Sequence, residues 1–304
     1  MRSGTMADSA LVFPIFLRSI VELGERLGVE TITGGAEPGK TASLWERRRP
    51  LFDHMAATAD RFFIADVDGR AIGYARSTRR AGLRELTEFF VEPSVQSGGC
   101  GRRLLELALA TEEGVWRCLI ATPDVRAVAL YLRQGLCARF PIYYFSRVPR
   151  ASPADAGSSL THPEVQFAAL DASPPNLSAL AEVDRAILGH TRDEDHRWLA
   201  SQREGFVARR DGRVLGYGYV AEHSGPFAAL DAADLPIFLA HAEARAAARG
   251  LPEFGVDVPL VNRAAFTWLL GNRYRVADFA TQFMSDEPFG RFENYLVTTP
   301  SFFL

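Results

Sequence analysis

Two stretches of the chain repeat each other. Residues 63–74 read F-I-A-D-V-D-G-R-A-I-G-Y, and residues 206–217 read F-V-A-R-R-D-G-R-V-L-G-Y. Each stretch predicts a strand, an Asp-Gly turn and a second strand, which together form a β-hairpin. Two later helical runs, which begin at Asp124 and Asn262, recur at a slightly shorter spacing. Self-similarity on this scale predicts two structurally related domains.

The length of the chain agrees with this division, because 304 residues allow about two domains of roughly 150 residues each. The stretch from Ala151 onward is small, polar and contains proline, which is typical of a linker. We therefore predict an N-terminal domain at 1–150, a linker at 151–163 and a C-terminal domain at 164–304.

Hydrophobic periodicity and turn residues predict the elements of both halves. In the first half we expect helices near 11–27, 43–59, 101–113 and 124–135, and strands near 62–67, 70–77, 83–91, 116–121 and 137–147. In the second half we expect helices near 176–188, 193–202, 232–249 and 262–271, and strands near 165–170, 205–209, 213–222, 226–230, 253–258 and 274–284. Residues 1–9 are not strand-like, so the first half is expected to lack an opening strand.

A glycine turn joins the strand near 83–91 to the following helix. Gln96, Gly99 and Gly101 form the pattern Q-x-x-G-x-G directly before a helical run of leucines. Such a turn points bare backbone N–H groups and the positive end of the helix dipole at one spot, which suits a phosphate. A dinucleotide-binding loop would need a third glycine where Leu104 stands. The second copy, from Gly225, reads G-P-F-A-A-L-D-A-A-D-L-P-I-F-L and has no such turn.

The segment V-x-P followed by Q-x-x-G-x-G resembles the pyrophosphate loop of the GCN5-related N-acetyltransferase (GNAT) superfamily. A second GNAT motif, N-x-x-A-x-x-L-Y-x-x-x-G-F, is similar to the run from Asp124 to Leu136, in which Ala127, Tyr131 and Gly135 match. The chain thus resembles a tandem GNAT protein with a degenerate second domain. The resemblance implies an α/β (α+β) class in which each domain is a mixed, mostly antiparallel twisted sheet flanked by helices.

The same resemblance implies an N-acetyltransferase in which an amine attacks the thioester of acetyl-CoA. Tyr131 matches the usual general acid of the family, and the less favoured alternative is a packed aromatic residue. Glu88 stands where relatives often carry an acidic base, with Glu85 in reserve, and it could equally be a solvated carboxylate at a strand end. By strand alternation Leu86, Glu88 and Phe90 are expected to share one face, where apolar neighbours would raise the pKa of Glu88. A backbone N–H near Val91 is expected to meet the carbonyl oxygen.

The residues that the resemblance assigns to the cofactor surround the turn and the start of the later helix. Asp124 replaces the usual asparagine, which weakens an amide contact to the cofactor but can still cap the helix. Arg102 and Arg103 could reach a phosphate or lie on the surface. The assigned cofactor-binding residues are Phe90, Val91, Gln96, Ser97, Gly98, Gly99, Cys100, Gly101, Arg102, Asp124, Ala127 and Tyr131.

Three other interpretations stay open. The chain could be a CoA- or acyl-CoA-binding regulatory protein without catalysis, because the second half has lost the turn. Residues 34–41 formally fit a P-loop, G-x-x-x-x-G-K-[ST], but the segment before them is short and polar. His190 and the run 193–196 suggest a metal, but their spacing fits no zinc motif, and acidic residues at a helix start are favoured by the dipole. We expect no metal.

Composition narrows the partners and the compartment. A formal charge of −3 offers no basis for nonspecific nucleic-acid binding. Cys100, Cys118 and Cys137 fit no C-x-x-C pattern and are interpreted as free thiols of a reducing compartment, so we expect a cytoplasmic protein. The apolar run 10–17 is too short for a membrane span. Lys40 is the only lysine, which argues against Schiff-base chemistry and is consistent with a bacterial source. We expect a monomer or homodimer that acts on a small-molecule or peptide amine.

Overall fold

The chain divides into two compact units. The computed structural model describes residues 1–29, 41–95, 98–150, 162–298 and 302–304. The first unit consists of Met1–Ala138 together with Phe283–Glu287, and the second consists of Arg139–Gln282 together with Pro288–Leu304. This division by contacts differs from chain order, since a short C-terminal segment belongs to the first unit. Residues 151–161 of the predicted linker lie outside the described residues.

The first unit is a mixed sheet with helices on both faces. Its helices are α1 (Ser9–Leu27), α2 (Thr41–Ala57), α3 (Cys100–Ala108) and α4 (Val125–Arg133). Its strands are β1 (Arg2–Ser3), β2 (Ala59–Val67), β3 (Arg70–Arg80), β4 (Leu83–Val91) and β5 (Trp116–Ala121). The strands follow one another in chain order across the sheet. Neighbours from β1 to β4 are antiparallel, whereas β4 and β5 are parallel.

One expectation for the N-terminus is wrong. Residues 1–9 were expected to contain no strand, but Arg2 and Ser3 form β1 and pair with Ile64 and Phe63 of β2. The pairing is only two residues long, and such a short edge strand leaves no periodic pattern in the sequence.

The second unit repeats the order of elements. Its helices are α5 (Pro174–Ile187), α6 (Asp193–Gln202), α7 (Leu235–Ala248) and α8 (Arg263–Gly271). Its strands are β6 (Cys137–Arg147), β7 (Val165–Leu170), β8 (Glu204–Arg210), β9 (Arg213–Val220), β10 (Phe227–Ala229), β11 (Phe254–Pro259), β12 (Arg275–Ser285) and β13 (Tyr295–Leu296). The first two residues of β6 and the last residues of β12, from Phe283, are part of the first unit. One sheet has the order β13-β10-β9-β8-β7, and β6 lies between β12 and β11.

The repeated hairpins have the same turn. Asp68 and Gly69 have φ angles of 50° and 78°, and Asp211 and Gly212 have 50° and 76°. Positive φ at both central residues defines a type I′ turn, for which Asp-Gly is a preferred pair. The hairpins β2–β3 and β8–β9 therefore confirm the repeat, and the mixed α/β class with two sheets is confirmed as well.

Two separate cores lie on the two faces of the first unit's sheet. One packs α3 and α4 against the sheet and includes Leu86, Leu104 and Leu105. The other packs α1 and α2 and includes Phe13, Phe52 and Tyr74. Apolar side chains of β4 therefore pack in one or the other of the two cores, according to the face of the sheet on which each one lies. None of the helices in the described ranges is both long enough and apolar enough to cross a bilayer.

Candidate active site

The glycine turn brings a strand end and a helix start together. After β4, Gly99 has a φ of 79°, which is left-handed backbone that glycine adopts without strain. The first hydrogen bond of α3 runs from the Arg103 N–H to the Gly99 carbonyl at 3.2 Å. The amides of 100–102 therefore precede the helical hydrogen bonds, as in helix starts that bind anions. Gln96 and Ser97 lie outside the described residues.

Gly101 lets α3 approach β4 closely. A Cβ at this position would stand 3.2 Å from Phe89 Cζ and 3.5 Å from Val91 Cγ2. The neighbouring Gly98 is open, since its Cβ would meet only the Val95 carbonyl oxygen at 3.8 Å. The side chain of Cys100 is half-buried and packs against the α3–α4 core. The turn thus combines one glycine required for packing, one required for φ and one that is open.

Strands β4 and β5 part just before the turn. Among the described residues their parallel pairing ends at Leu86 and Leu119, although β4 continues to Val91. On its other side β4 stays paired with β3, and the Glu92 N–H donates to the Ile72 carbonyl at 2.9 Å. Because N–H groups alternate sides along a strand, the Val91 N–H is directed away from β3 and toward the parting.

The expectation that Leu86, Glu88 and Phe90 share a face is wrong. Glu88 lies opposite Arg76 on β3, whereas Leu86 lies opposite Ser77, so Thr87 is an extra residue in the pairing. Such a β-bulge reverses the alternation of the side chains on either side of it. Leu86 consequently packs in the α3–α4 core, while Phe90 packs on the α1–α2 side.

Glu88 is buried and has two partners on β3. Tyr74 Oη donates to Glu88 Oε1 at 2.9 Å, and Arg76 Nε lies 2.6 Å from Glu88 Oε2. Burial raises the pKa of Glu88 above its ordinary value, although the charge of Arg76 and the Tyr74 hydrogen bond act in the opposite direction. In the described part of the chain, Arg76 Nε and Nη2 and Glu88 Oε2 make no well-aligned hydrogen bond.

Tyr131 lies on the other side of β4 from Glu88. Its buried ring meets Phe89 edge to face, with centroids 6.1 Å apart, in the α3–α4 core. Burial, with a smaller effect of the Asp124 charge, raises the pKa of Tyr131 well above its ordinary value. The hydroxyl therefore stays protonated at neutral pH and can donate. Val91, Cys100 and Ala127 pack on this side as well, so the α3–α4 core brings four of the assigned residues together.

Asp124 caps α4, as expected. Its carboxylate accepts from the Arg126 N–H at 3.0 Å and from Arg26 Nη2 at 2.9 Å. Burial would raise the pKa of Asp124, but the bonds from Arg126 and the charge of Arg26 outweigh it and hold this pKa below its ordinary value. Arg102 is exposed, and its Nε lies 3.8 Å from Glu106 Oε1. A weak surface pair of this kind leaves a guanidinium able to reorient toward a ligand.

The sequence did not reveal two ion pairs near the site. Glu92 is buried and accepts from Arg18 Nε at 3.1 and 3.0 Å, which fixes α1 against the end of β4. Arg117 on β5 donates to Asp286, which is far away in the sequence. No local sequence pattern predicts either ion pair, because each of the four charged residues would be expected on the surface.

The residues suggested for a metal have other neighbours. His196 Nε2 lies 2.8 Å from Asp184 Oδ2, and its Nδ1 lies 2.9 Å from Tyr219 Oη. In the residues that the structure describes, no group of three or more His, Cys, Asp or Glu is arranged to hold a metal ion. The P-loop interpretation rests on residues 34–41, of which all but Thr41 lie outside the described residues.

The start of α7 in the second unit differs from the glycine turn. Asp231 accepts from the Ala233 N–H at 2.9 Å, and Asp234 pairs with Arg210 at 3.0 Å. Pro236, near the first turn of α7, has no N–H to offer. Carboxylates thus occupy the helix start that would otherwise attract an anion. A cavity of ≈ 620 Å³ nearby is lined by residues of the second unit such as Thr267 and Trp268 and by none of the glycine turn.

Comparison with known families decides what the first unit is. Residues 58–135, which include β2–β5, the glycine turn and α4, match the model described as "Acetyltransferase (GNAT) domain". The first unit thus contains a GNAT domain match at residues 58–135. The matched stretch contains both hairpin strands, the parting of β4 from β5 and the assigned residues from Glu88 to Tyr131. No curated protein matches the chain by sequence.

Solved structures extend the likeness to the whole chain. A Pyrococcus horikoshii protein named as an acetyltransferase superimposes with a TM-score of 0.69 at 14% identity, over 97% of this chain and 92% of that one. A GCN5-related N-acetyltransferase from Sphaerobacter thermophilus gives 0.57 at 16% identity, over 95% and 96%. A tandem GNAT protein from the clavulanic acid biosynthesis pathway gives 0.54 at 13% identity, over 94% and 98%. The chain therefore has the fold of a tandem GNAT protein.

Proposed function

We propose that the protein is an acetyl-CoA-dependent N-acetyltransferase whose GNAT domain transfers an acetyl group to a primary amine. The observation that carries the proposal is the glycine turn at the start of α3 beside the parting of β4 and β5. The turn offers backbone amides to a diphosphate, and β4 no longer pairs with β5 beyond Leu86 and Leu119. The second unit, with Asp231 and Asp234 at the matching helix start, takes no part in holding the cofactor.

The residues of the turn fit the cofactor by their size and charge. A Cβ at Gly98 or Gly99 would meet no atom closer than 3.8 Å, and Arg102 lies in the first turn of α3 with an exposed side chain. Acetyl-CoA supplies the activated acetyl thioester when it is bound. The amides of 100–102 would hold its diphosphate, and the Arg102 side chain would add a charge-assisted contact.

Two side chains on opposite faces of β4 would act as general base and general acid. Glu88 would accept the proton of the amine, directly or through a water, and its raised pKa suits a base that works near neutral pH. Tyr131 would hold a proton at Oη for the departing thiolate, since its own raised pKa keeps it protonated. Backbone N–H groups at the end of β4 would face the carbonyl oxygen.

A second candidate function is a CoA- or acyl-CoA-binding module without turnover. The observation that favours it is the engagement of Glu88, both of whose oxygens already lie beside Tyr74 and Arg76. A carboxylate held in this way could serve the packing of the sheet alone. The two functions share the turn and differ only in whether any amine is acetylated.

Isothermal titration with acetyl-CoA tests the cofactor site through the charge of the turn. Gly98→Asp places a carboxylate beside the amides without a steric conflict, and Gly98→Asn is its neutral control of equal shape. We expect Gly98→Asp to lose about tenfold or more in affinity, and Gly98→Asn to stay within about threefold of the wild type, because only the charge differs. Equal affinities of the two variants would remove the diphosphate assignment.

Thiol release from acetyl-CoA with a panel of primary amines then separates the two functions. Amine-dependent release that Glu88→Gln abolishes supports the transferase. Tight binding with no release on any amine, in the protein that loses affinity through Gly98→Asp, supports the binding module.

A further inference from the structure

A fully buried arginine lies against Glu88 and is fixed from several sides. The Arg76 guanidinium stands 4.7 Å from the centroid of the Phe62 ring and 5.3 Å from that of Phe52. Its Nη1 donates to the Phe52 carbonyl at 2.9 Å. Aromatic faces and a carbonyl acceptor hold a cation in place. The positive charge beside Glu88 is therefore a fixed feature of the site.

Tyr74 is equally fixed and supplies the other contact. Its ring packs against Phe62 and Phe90, with centroids 6.2 and 5.7 Å away, and its side chain is buried. The hydroxyl donates to Glu88 Oε1. Because burial raises the pKa of Tyr74 well above its ordinary value, Tyr74 remains a donor across the accessible pH range.

The internal repeat shows which of the contacts among Tyr74, Arg76 and Glu88 also occurs in the second unit. Tyr217 occupies the position of Tyr74 on β9 and also donates to a carboxylate, Asp184 Oδ1, at 2.5 Å. That carboxylate comes from α5, and its other oxygen accepts from Arg192 Nε at 3.0 Å. A tyrosine that donates to a buried carboxylate is thus common to both units.

The carboxylate on the strand next to the turn is particular to the GNAT domain. In register, Ala228 of β10 lies opposite Tyr217 as Phe90 lies opposite Tyr74. Two residues before Ala228 stands Pro226, so the place of Glu88 holds no carboxylate in the second unit. Only the unit with the glycine turn carries an acid at this point of the sheet.

We propose that Tyr74 and Arg76 are positioning residues that hold the Glu88 carboxylate in one orientation and favour its ionised form, so that it can take the proton of the acceptor amine. This inference rests on the proposed function. The amine nitrogen loses the proton, and a Glu88 oxygen gains it. The fixed positive charge and the hydroxyl donor oppose the cost of burying a carboxylate. Without them the burial of Glu88 would favour its protonated form more strongly.

Other charges near the cluster are already neutralised or turned to other partners. Arg18 of α1 is bound to Glu92, and Arg48 of α2 lies over the Phe16 ring at 6.0 Å. The groups that act on Glu88 are therefore Tyr74 and Arg76 of β3. The test can address them one at a time.

The test is a titration of Glu88 in the full-length protein. The carboxyl carbon is followed by NMR with 13C-labelled glutamate and assigned by its loss in Glu88→Gln. Tyr74→Phe keeps the packed ring and removes only the donor. We expect the Glu88 midpoint to rise by about one pH unit or more, because a hydrogen bond to a charged group is lost. Tyr217→Phe, the same change at the repeated position, should leave the midpoint unchanged.

The pH profile of turnover is a second measurement, and it would not change if Tyr74 and Arg76 had a purely structural role. In Tyr74→Phe the acid limb of the pH profile of kcat/KM should move up with the NMR midpoint, while the plateau at high pH stays near that of the wild type. Arg76→Lys, which keeps the charge but loses the planar fork, should move both midpoints in the same direction, and it decides the matter if Tyr74→Phe does not fold. An unmoved NMR midpoint in a folded variant would overturn the inference. Absence of turnover in the wild type, with the NMR shift present, would overturn the proposed transferase and leave the charge arrangement standing.

Discussion

Asp286 binds both the backbone and the side chain of Arg117. Asp286 Oδ1 accepts the Arg117 N–H at 2.9 Å, and Oδ2 accepts from Arg117 Nε at 2.9 Å. In return, the Asp286 N–H donates to the Arg117 carbonyl at 3.1 Å. Both residues belong to the first unit, although 169 positions separate them in the chain. The C-terminal segment therefore completes β5, the strand that parts from β4 beside the glycine turn.

Removal of the contact between Asp286 and Arg117 should destabilise β5. We expect Asp286→Ala to lower the free energy of unfolding by about 2–3 kcal/mol, since a nearly buried arginine loses a charged partner. Hydrogen exchange in a peptide that contains 116–121 should speed up accordingly. Asp278→Ala, an exposed aspartate of the same strand β12, is the control and should change stability by no more than about 0.5 kcal/mol. Slow exchange in Asp286→Ala would show that the segment contributes little to β5.

The contact between α3 and β4 should depend on the absence of a side chain at Gly101. Gly101→Ala brings a Cβ to 3.2 Å from Phe89 Cζ, so we expect a loss of about 1 kcal/mol in stability. In a Phe89→Leu background, where the ring end is missing, the same change should cost clearly less. A double-mutant cycle by urea unfolding measures the coupling. Gly271→Ala, which meets nothing within 4 Å, serves as the control, and additive effects at 89 and 101 would contradict the packing argument.

Loss of the Tyr131 hydroxyl should affect turnover far more than cofactor binding. We expect Tyr131→Phe to lower kcat by about 10²-fold or more, because the ring remains in the core while the proton donor is lost. The affinity for acetyl-CoA should stay within about twofold by calorimetry. Tyr143→Phe, in the second unit, should leave both quantities unchanged. Wild-type rates in Tyr131→Phe would assign the ring to packing alone.

Acid should destabilise the protein through His241. Burial and the nearby charge of Arg245 lower the pKa of His241 to about 4 from 6.5, and its ring stacks on Phe167 at 3.8 Å. A depressed pKa means that the folded protein binds fewer protons, so the contribution of His241 is complete above pH 6.5 and is lost as the pH falls toward 4. We expect it to amount to about 2 kcal/mol, because partial contact with solvent reduces the effect.

His241→Phe keeps a stacked ring and removes the titration. The free energy of unfolding, measured by urea between pH 7 and 4.5, should fall less steeply in the variant than in the wild type. Parallel curves would mean that His241 takes up its proton in the folded state without penalty.

Interactions between residues that are close in the chain account for most of the elements that the sequence predicted. The Asp-Gly turns require positive φ at two residues, the helices show their apolar period, and Asp124 caps α4 through an atom two residues away. The glycine turn is local in the same sense, because its geometry depends on a strand end, a left-handed glycine and a helix start within a few residues. Interactions this short in range leave a pattern in the sequence.

Two parts of the site were decided by tertiary structure alone. The bulge at Thr87 places Glu88 beside Tyr74 and Arg76, because the pairing of β3 with β4 absorbs an extra residue that no residue type marks. The C-terminal segment reaches β5 through Asp286, a contact whose partners lie more than half the chain apart. The sequence by itself determined two repeated domains and one glycine turn before a helix, since these follow from neighbouring residues. The electrostatic surroundings of Glu88 and the contact of Asp286 with β5 needed the folded chain, because register and long-range pairing arise only when distant segments pack together.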